Sequence, residues 1–262
     1  MGFRGSRVQI PASRPASRFS IRAPALSRGA LILLTPLLPW LFTVVPGGRW
    51  LLPLAAPALL YPAFARRVRE RRYVRAWGLA LLWAALLSAG IVVLVLAAPQ
   101  RAAPLVLHGE TYREEMFAWI ATGEGRENDP AAFLPQHLLH LGVFLLLTWV
   151  SGGYLGLALG AGLLGYMSYF VGTFAAASGR PLLGSVAAWV PWSVIRVMAF
   201  VLLGVLFSRP LLVRQAWPFG PREHALLALA AGGILADLLL KTLFAPTYGL
   251  FLRRLVETGA MP

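Results

Sequence analysis

Long apolar runs alternate along the chain with short stretches rich in arginine and proline. A helix needs roughly 20 apolar residues to cross a hydrocarbon core of about 30 Å, and in lipid a helix satisfies its own backbone. Three runs meet that length: Trp77 to Ala98, Tyr154 to Ala177 and Gly184 to Phe207. Two more are candidates, namely His137 to Val150, extendable back towards Phe133, and Ala225 to Phe244. Gly29 to Val45 and Leu51 to Ala65 are shorter and interrupted by Pro36, Pro39, Pro53, Pro57 and Pro62, which predicts a tight or re-entrant hairpin. The pattern predicts an all-α polytopic transmembrane bundle of about six or seven membrane segments, or five plus a hairpin.

Between the third and fourth of these segments the period changes. Thr111 followed by Glu114 reads as a capping box, and Tyr112, Met116, Trp119 and Ile120 recur on one helical face until Gly123 stops the run. This predicts an extracytoplasmic amphipathic helix lying on the membrane, with Arg113, Glu114 and Glu115 on its polar face. Asp129 and Pro130 then supply an N-cap and a first-turn proline for the next helix, in which Pro135 marks a kink or a restart. The chain divides into a basic tail (1–28), the proline-rich hairpin with the third membrane helix (29–98), the polar outer segment (99–136), a four-segment bundle (137–252) and a short tail (253–262).

Composition narrows the class. Of 262 residues, 58% are hydrophobic and 13% charged, with mean hydropathy +0.69. A soluble domain carries about 25% charged residues, so an ordinary soluble enzyme is excluded. The absence of cysteine removes disulfides, thiol nucleophiles and thiolate metal sites. The net charge of +14 sits on arginines that flank apolar runs, so the expected partner is the lipid bilayer and not nucleic acid. Arg4, Arg7, Arg14, Arg18, Arg22 and Arg28, and again the stretch from Arg66 to Arg75, place the N-terminus in the cytoplasm of a cell whose plasma (inner) membrane holds the protein. On that count Arg253 and Arg254 fall outside, against the rule. The segment Ser6 to Pro11 back-translates into something like the T-arm of a transfer RNA gene, which suggests a true start nearer Pro24.

Three groups of residues carry candidate roles. Gly152, Gly156 and Gly160 recur every fourth position and predict a helix-packing seam, on which a membrane-protein partner or a second copy could dock. Arg196, Asp237 and Lys241 fall inside apolar runs, where each charge costs at least ~2.5 kcal/mol at a helix centre. They are expected to form an intramembrane polar cluster, with Asp237 and Lys241 pairing along one face and Arg196 sharing Asp237 across the interface. Finally, six of the ten acidic residues lie between Glu110 and Asp129. Just beyond, His137 and His140 leave one helix face. With Glu114 or Glu115 they make a candidate catalytic set. His137, His140 and Glu114 would be the ligands if a divalent metal were the cofactor. His108 and His224 read as surface residues.

Glu114 and Glu115, followed by Phe133-Leu-Pro-Gln-His137, resemble the paired-glutamate and FxxxH motifs of the CAAX-type intramembrane endopeptidases. The resemblance is confined to this stretch. Trp119 stands where that family has an arginine, and its later histidine and asparagine motif is absent. Two readings follow. The first is a non-enzymatic, transporter-like or assembly-type bundle whose charged cluster sets packing or a pathway. The second is a membrane-embedded hydrolase using Glu114 or Glu115 with His137 and His140. They differ in one observable: the second requires the helix after Thr111 to fold back over His137.

Overall fold

In the computed structural model, residues 30–215 and 219–259 are described. The basic tail and the proposed internal start lie outside them. Helix makes up 85% of the described residues, with no strand among them. A 3-10 turn (Ala30–Leu37) leads into α1 (Leu38–Phe42), α2 (Gly48–Ala55) and α3 (Pro57–Arg69). Pro36, Pro39, Pro53, Pro57 and Pro62 all fall within these short pieces. Next come α4 (Tyr73–Ala97), α5 (Pro99–Leu105) and α6 (Gly109–Thr122). Then follow α7 (Pro130–Ser151), α8 (Tyr154–Ala177), α9 (Pro181–Ala188), α10 (Pro191–Phe207), α11 (Arg209–Leu212) and α12 (Pro221–Gly259). Five helices are long and apolar enough to cross a membrane: α4, α7, α8, α10 with its extension to Leu212, and α12.

Two of these differ from their sequence reading. The run expected as one segment from Gly184 to Phe207 is broken, because Pro191 has no N–H and pushes Val190 to an extended conformation (φ −59°, ψ 134°). The final helix continues unbroken through Pro246 for 39 residues. At 1.5 Å per residue it is about 58 Å long, nearly twice a hydrocarbon core.

α8 is the central post. It packs on α4, α6, α7 and α9, while α10 packs chiefly on α12. At the α4–α8 contact, Gly172 lets the Val95 side chain approach so closely that a methyl group there would collide with it. Ser168 donates to Ser88 at 2.9 Å in the same interface, pairing two hydroxyls that would otherwise be unsatisfied in an apolar core. The glycine seam is not one stripe. Gly152 lies outside the helix, with Gly153 in the left-handed turn that reverses the chain between α7 and α8 (φ 62° and 99°). Gly156 meets the Thr148 side chain of α7, and Gly160 faces open space. The close approach is therefore made inside the chain.

The amphipathic helix is also placed differently. α6 begins at Gly109, with His108 in a left-handed conformation ahead of it, so the capping box at Thr111 is not used. Met116, Trp119 and Ile120 are buried against α8 and α12 and not against lipid. Trp119 fits against Gly249 of α12, and Arg253 donates from Nε to the carbonyl of Ile120 at 2.7 Å. That carbonyl belongs to the last turn of α6, where four C=O groups have no helical partner.

Candidate functional site

The loop from Gly123 to Asp129 and the first turns of α7 decide where the polar groups go. Asp129 caps α7 by accepting from the Ala131 N–H at 2.9 Å, and the helix runs through Pro135 without restarting. His137 and His140, one turn apart, both face inward. They line a polar chamber of about 360 Å³ together with Tyr112 and Glu115 of α6, Glu127 of the loop and Tyr166 of α8. Arg196 and Lys241 complete the wall from α10 and α12. The helix after Thr111 does fold back over His137.

Two ion pairs fasten the chamber. Arg196 grips Asp237 with both arms of its guanidinium, Nε to Oδ2 at 2.9 Å and Nη2 to Oδ1 at 3.0 Å. Lys241 does not pair with Asp237 as its spacing suggested. Its Nζ donates to Glu127 Oε1 at 3.0 Å and stands 4.2 Å from the centre of the Phe133 ring. Trp192 donates to the other oxygen of Glu127 at 3.3 Å, so this tryptophan is buried in the bundle rather than part of an interfacial belt. Asp237 and Lys241 are each 1% exposed. Both charges are compensated, as burial demands.

Other groups in the chamber remain uncommitted. His137 Nδ1 lies 2.8 Å from the carbonyl of Phe133, which can only accept, so Nδ1 carries the proton and the neutral ring presents Nε2 as a lone pair. That Nε2 is buried with no hydrogen bond, 3.9 Å from Asp237 Oδ2. Glu115 makes no ion pair among the described residues. Tyr112 stays protonated, because burial first and the nearby Glu127 next hold its phenol well above the usual pKa of 10.

No protein-family model, no curated protein and no solved structure matches the chain. Glu114, read with Glu115 as catalytic and with the histidines as a metal ligand, is not in the chamber. It lies on the exposed side of α6, 70% accessible, with Arg113 at 3.5 Å. Successive residues on a helix point about 100° apart, so only one of the two glutamates can face His137. Among the described residues, no three His, Cys, Asp or Glu side chains gather closely enough to hold a metal ion. The set His137, His140 and Glu114 is not assembled. Glu110, the third carboxylate that could have completed the two-histidine set, pairs instead with Arg113 at 2.8 Å and accepts from the Tyr169 hydroxyl.

Below the chamber lies a second, apolar cavity of about 90 Å³, lined among others by Phe64, Phe144, Leu157, Gly160 and Phe200. His137, His140, Leu163, Tyr166, Met167 and Arg196 line both spaces and so form the wall between them. The site missed by sequence reasoning is centred on Glu127. A buried lysine requires a carboxylate, and Asp237 one turn away in sequence offered the nearer answer. The true partner sits 114 positions upstream in a loop without periodicity.

Proposed function

We propose that the protein is a membrane-embedded hydrolase whose site is the chamber between α6, α7, α10 and α12. The observation that carries this reading is the position of α6: it folds over α7, so that Glu115 faces the same space as His137 and His140. In this reading Glu115 takes a proton from water, and the water oxygen adds to the carbonyl carbon of an ester or amide. His137 Nε2 accepts a hydrogen bond from that water and the His140 ring flanks it; the protonated Glu115 then gives its proton to the leaving group as the bond to the carbonyl carbon breaks. Arg196 and Lys241 lie where negative charge on the carbonyl oxygen would be stabilised, in a site partly closed to water. The Arg196–Asp237 and Lys241–Glu127 pairs hold the walls.

A pathway for a polar solute is less well supported, because the space beneath the chamber is apolar. The resemblance to the intramembrane endopeptidases extends to Glu115 and His137 but not to Glu114 or Trp119, so it adds little beyond the geometry. The test is hydrolysis of a panel of amphiphilic carboxyl esters and peptide amides by the purified full chain in nanodiscs. Turnover that falls at least about 100-fold in Glu115→Gln, at unchanged helicity, is expected from the loss of a general base. Turnover that survives both Glu115→Gln and His140→Ala would overturn the assignment.

A further inference from the structure

The far end of the bundle holds a second cleft. α4 starts beside α12, and α12 then runs towards the polar chamber; Lys241 lies 20 residues along α12 from Pro221, about 30 Å away at the helical rise. The cleft at the two helix starts has a volume of about 670 Å³. Arg71, Arg72, Arg75 and Arg222 line it, with Tyr73 and an apolar wall that includes Val74, Leu226 and Leu229.

Its charge is largely unanswered. Glu70 lies 2.8 Å from Arg66 and 3.4 Å from Arg72, and Arg71 donates to Gln215 at 2.6 Å. Arg75 and Arg222 have no ion-pair partner among the described residues. Two helix N-termini add the positive ends of their dipoles. Tyr73, 6% exposed, lines the cleft, and its buried hydroxyl has no partner other than the Arg209 guanidinium. Behind its ring stands Arg209, 1% exposed, whose guanidinium carbon is 5.7 Å from the ring centre. Arg209 reaches Glu223 only at 3.9 Å and leaves Nε and Nη1 without partners. Buried donors without acceptors are costly, and a second layer of positive charge beneath the arginines deepens the demand for an anion.

We propose that this cleft binds a phosphate group, held by Arg75 and Arg222 at the mouth with Tyr73 below. The wall of Val74, Leu226 and Leu229 sits where the glycerol and first methylenes of a phospholipid would lie, which makes the lipid headgroup the favoured source. This does not depend on the hydrolase reading.

The test is binding of a fluorescent phosphatidylglycerol to the full chain in phosphatidylcholine nanodiscs, repeated with soluble glycerol phosphate and inorganic phosphate as competitors. Saturable binding that weakens at least about tenfold in the Arg75→Gln, Arg222→Gln double variant, and several-fold in Tyr73→Phe, is the expected result. Tyr73→Phe removes one buried hydroxyl and keeps the ring, so it separates loss of the site from loss of the fold. Competition by inorganic phosphate at matched concentration would assign the site to free phosphate, and its absence to the lipid. Equal affinity in wild type and both variants overturns the proposal.

Discussion

Removing one member of the Arg196–Asp237 pair should cost far more than removing both. At 2.9 Å and an effective dielectric of 20, two unit charges attract by about 6 kcal/mol. Burying them costs several kcal/mol per ion, so the intact pair contributes little net stability over a well-packed apolar pair. A lone survivor is another matter, since its burial cost remains and the attraction is gone. Arg196→Met and Asp237→Leu should each destabilise the protein by about 3–5 kcal/mol, while the double variant should lose no more than about 1–2 kcal/mol. The two single losses should also differ. Removal of Asp237 leaves Arg196 with no carboxylate bonded to it, whereas after removal of Arg196 the Lys241 charge still stands one turn from the carboxylate. The assay is a double-mutant cycle on reversible unfolding in mixed detergent micelles, followed by helicity and tryptophan fluorescence. Additivity of the single variants within about 0.5 kcal/mol would refute the reasoning, because groups that act as a pair cannot be additive.

Three further outcomes follow from other parts of the structure. Gly156→Ala should destabilise, since the new methyl would meet the buried Thr148 side chain, whereas Gly160→Ala should be neutral or stabilising by up to about 1 kcal/mol, because nothing lies within 4 Å of that position; thermal unfolding of the two variants side by side decides this. Folding raises the Tyr112 pKa, so the folded state holds that proton more tightly, and the stability it supports is present below pH 10 and declines as pH climbs above it. Tyr112→Phe should flatten that alkaline decline, as read from unfolding midpoints at about pH 9 and about pH 11. Glu127→Ala frees the loop from Lys241 and Trp192, and trypsin should then cut after Arg126 at least about tenfold faster than in the wild type, a gain equivalent to about 1.4 kcal/mol of lost anchoring.

What could be read from the chain was what depends on one helix at a time. The ends of α8 at Tyr154 and Ala177 follow directly from a uniform apolar run bounded by Gly-Gly and Ser-Gly, and the Asp129–Pro130 start of α7 follows from backbone chemistry local to those two residues. That His137 and His140 share one face follows from their spacing alone; that the face points inward does not. What could not be read was which elements meet. The apolar face of α6 has the same periodicity whether lipid or α12 covers it. Lys241 has two carboxylates within reach, and only the path of the loop after Gly123 selects Glu127. The break at Val190 lay between the two: Pro191 advertised a disturbance, but a kinked helix and two separate helices have the same local sequence.

The contact between Arg253 and the end of α6 bears on how such a chain finds its orientation during insertion. Arginines counted as topology signals are assumed to face only the membrane potential, the headgroups and water. The Arg253 guanidinium instead completes the last turn of a neighbouring helix, at the end where the dipole is negative. An arginine engaged in this way is stabilised by folded protein on whichever side that protein lies. Its vote in a tally of flanking charges should therefore be discounted, which leaves Arg254 alone against the rule in this sequence.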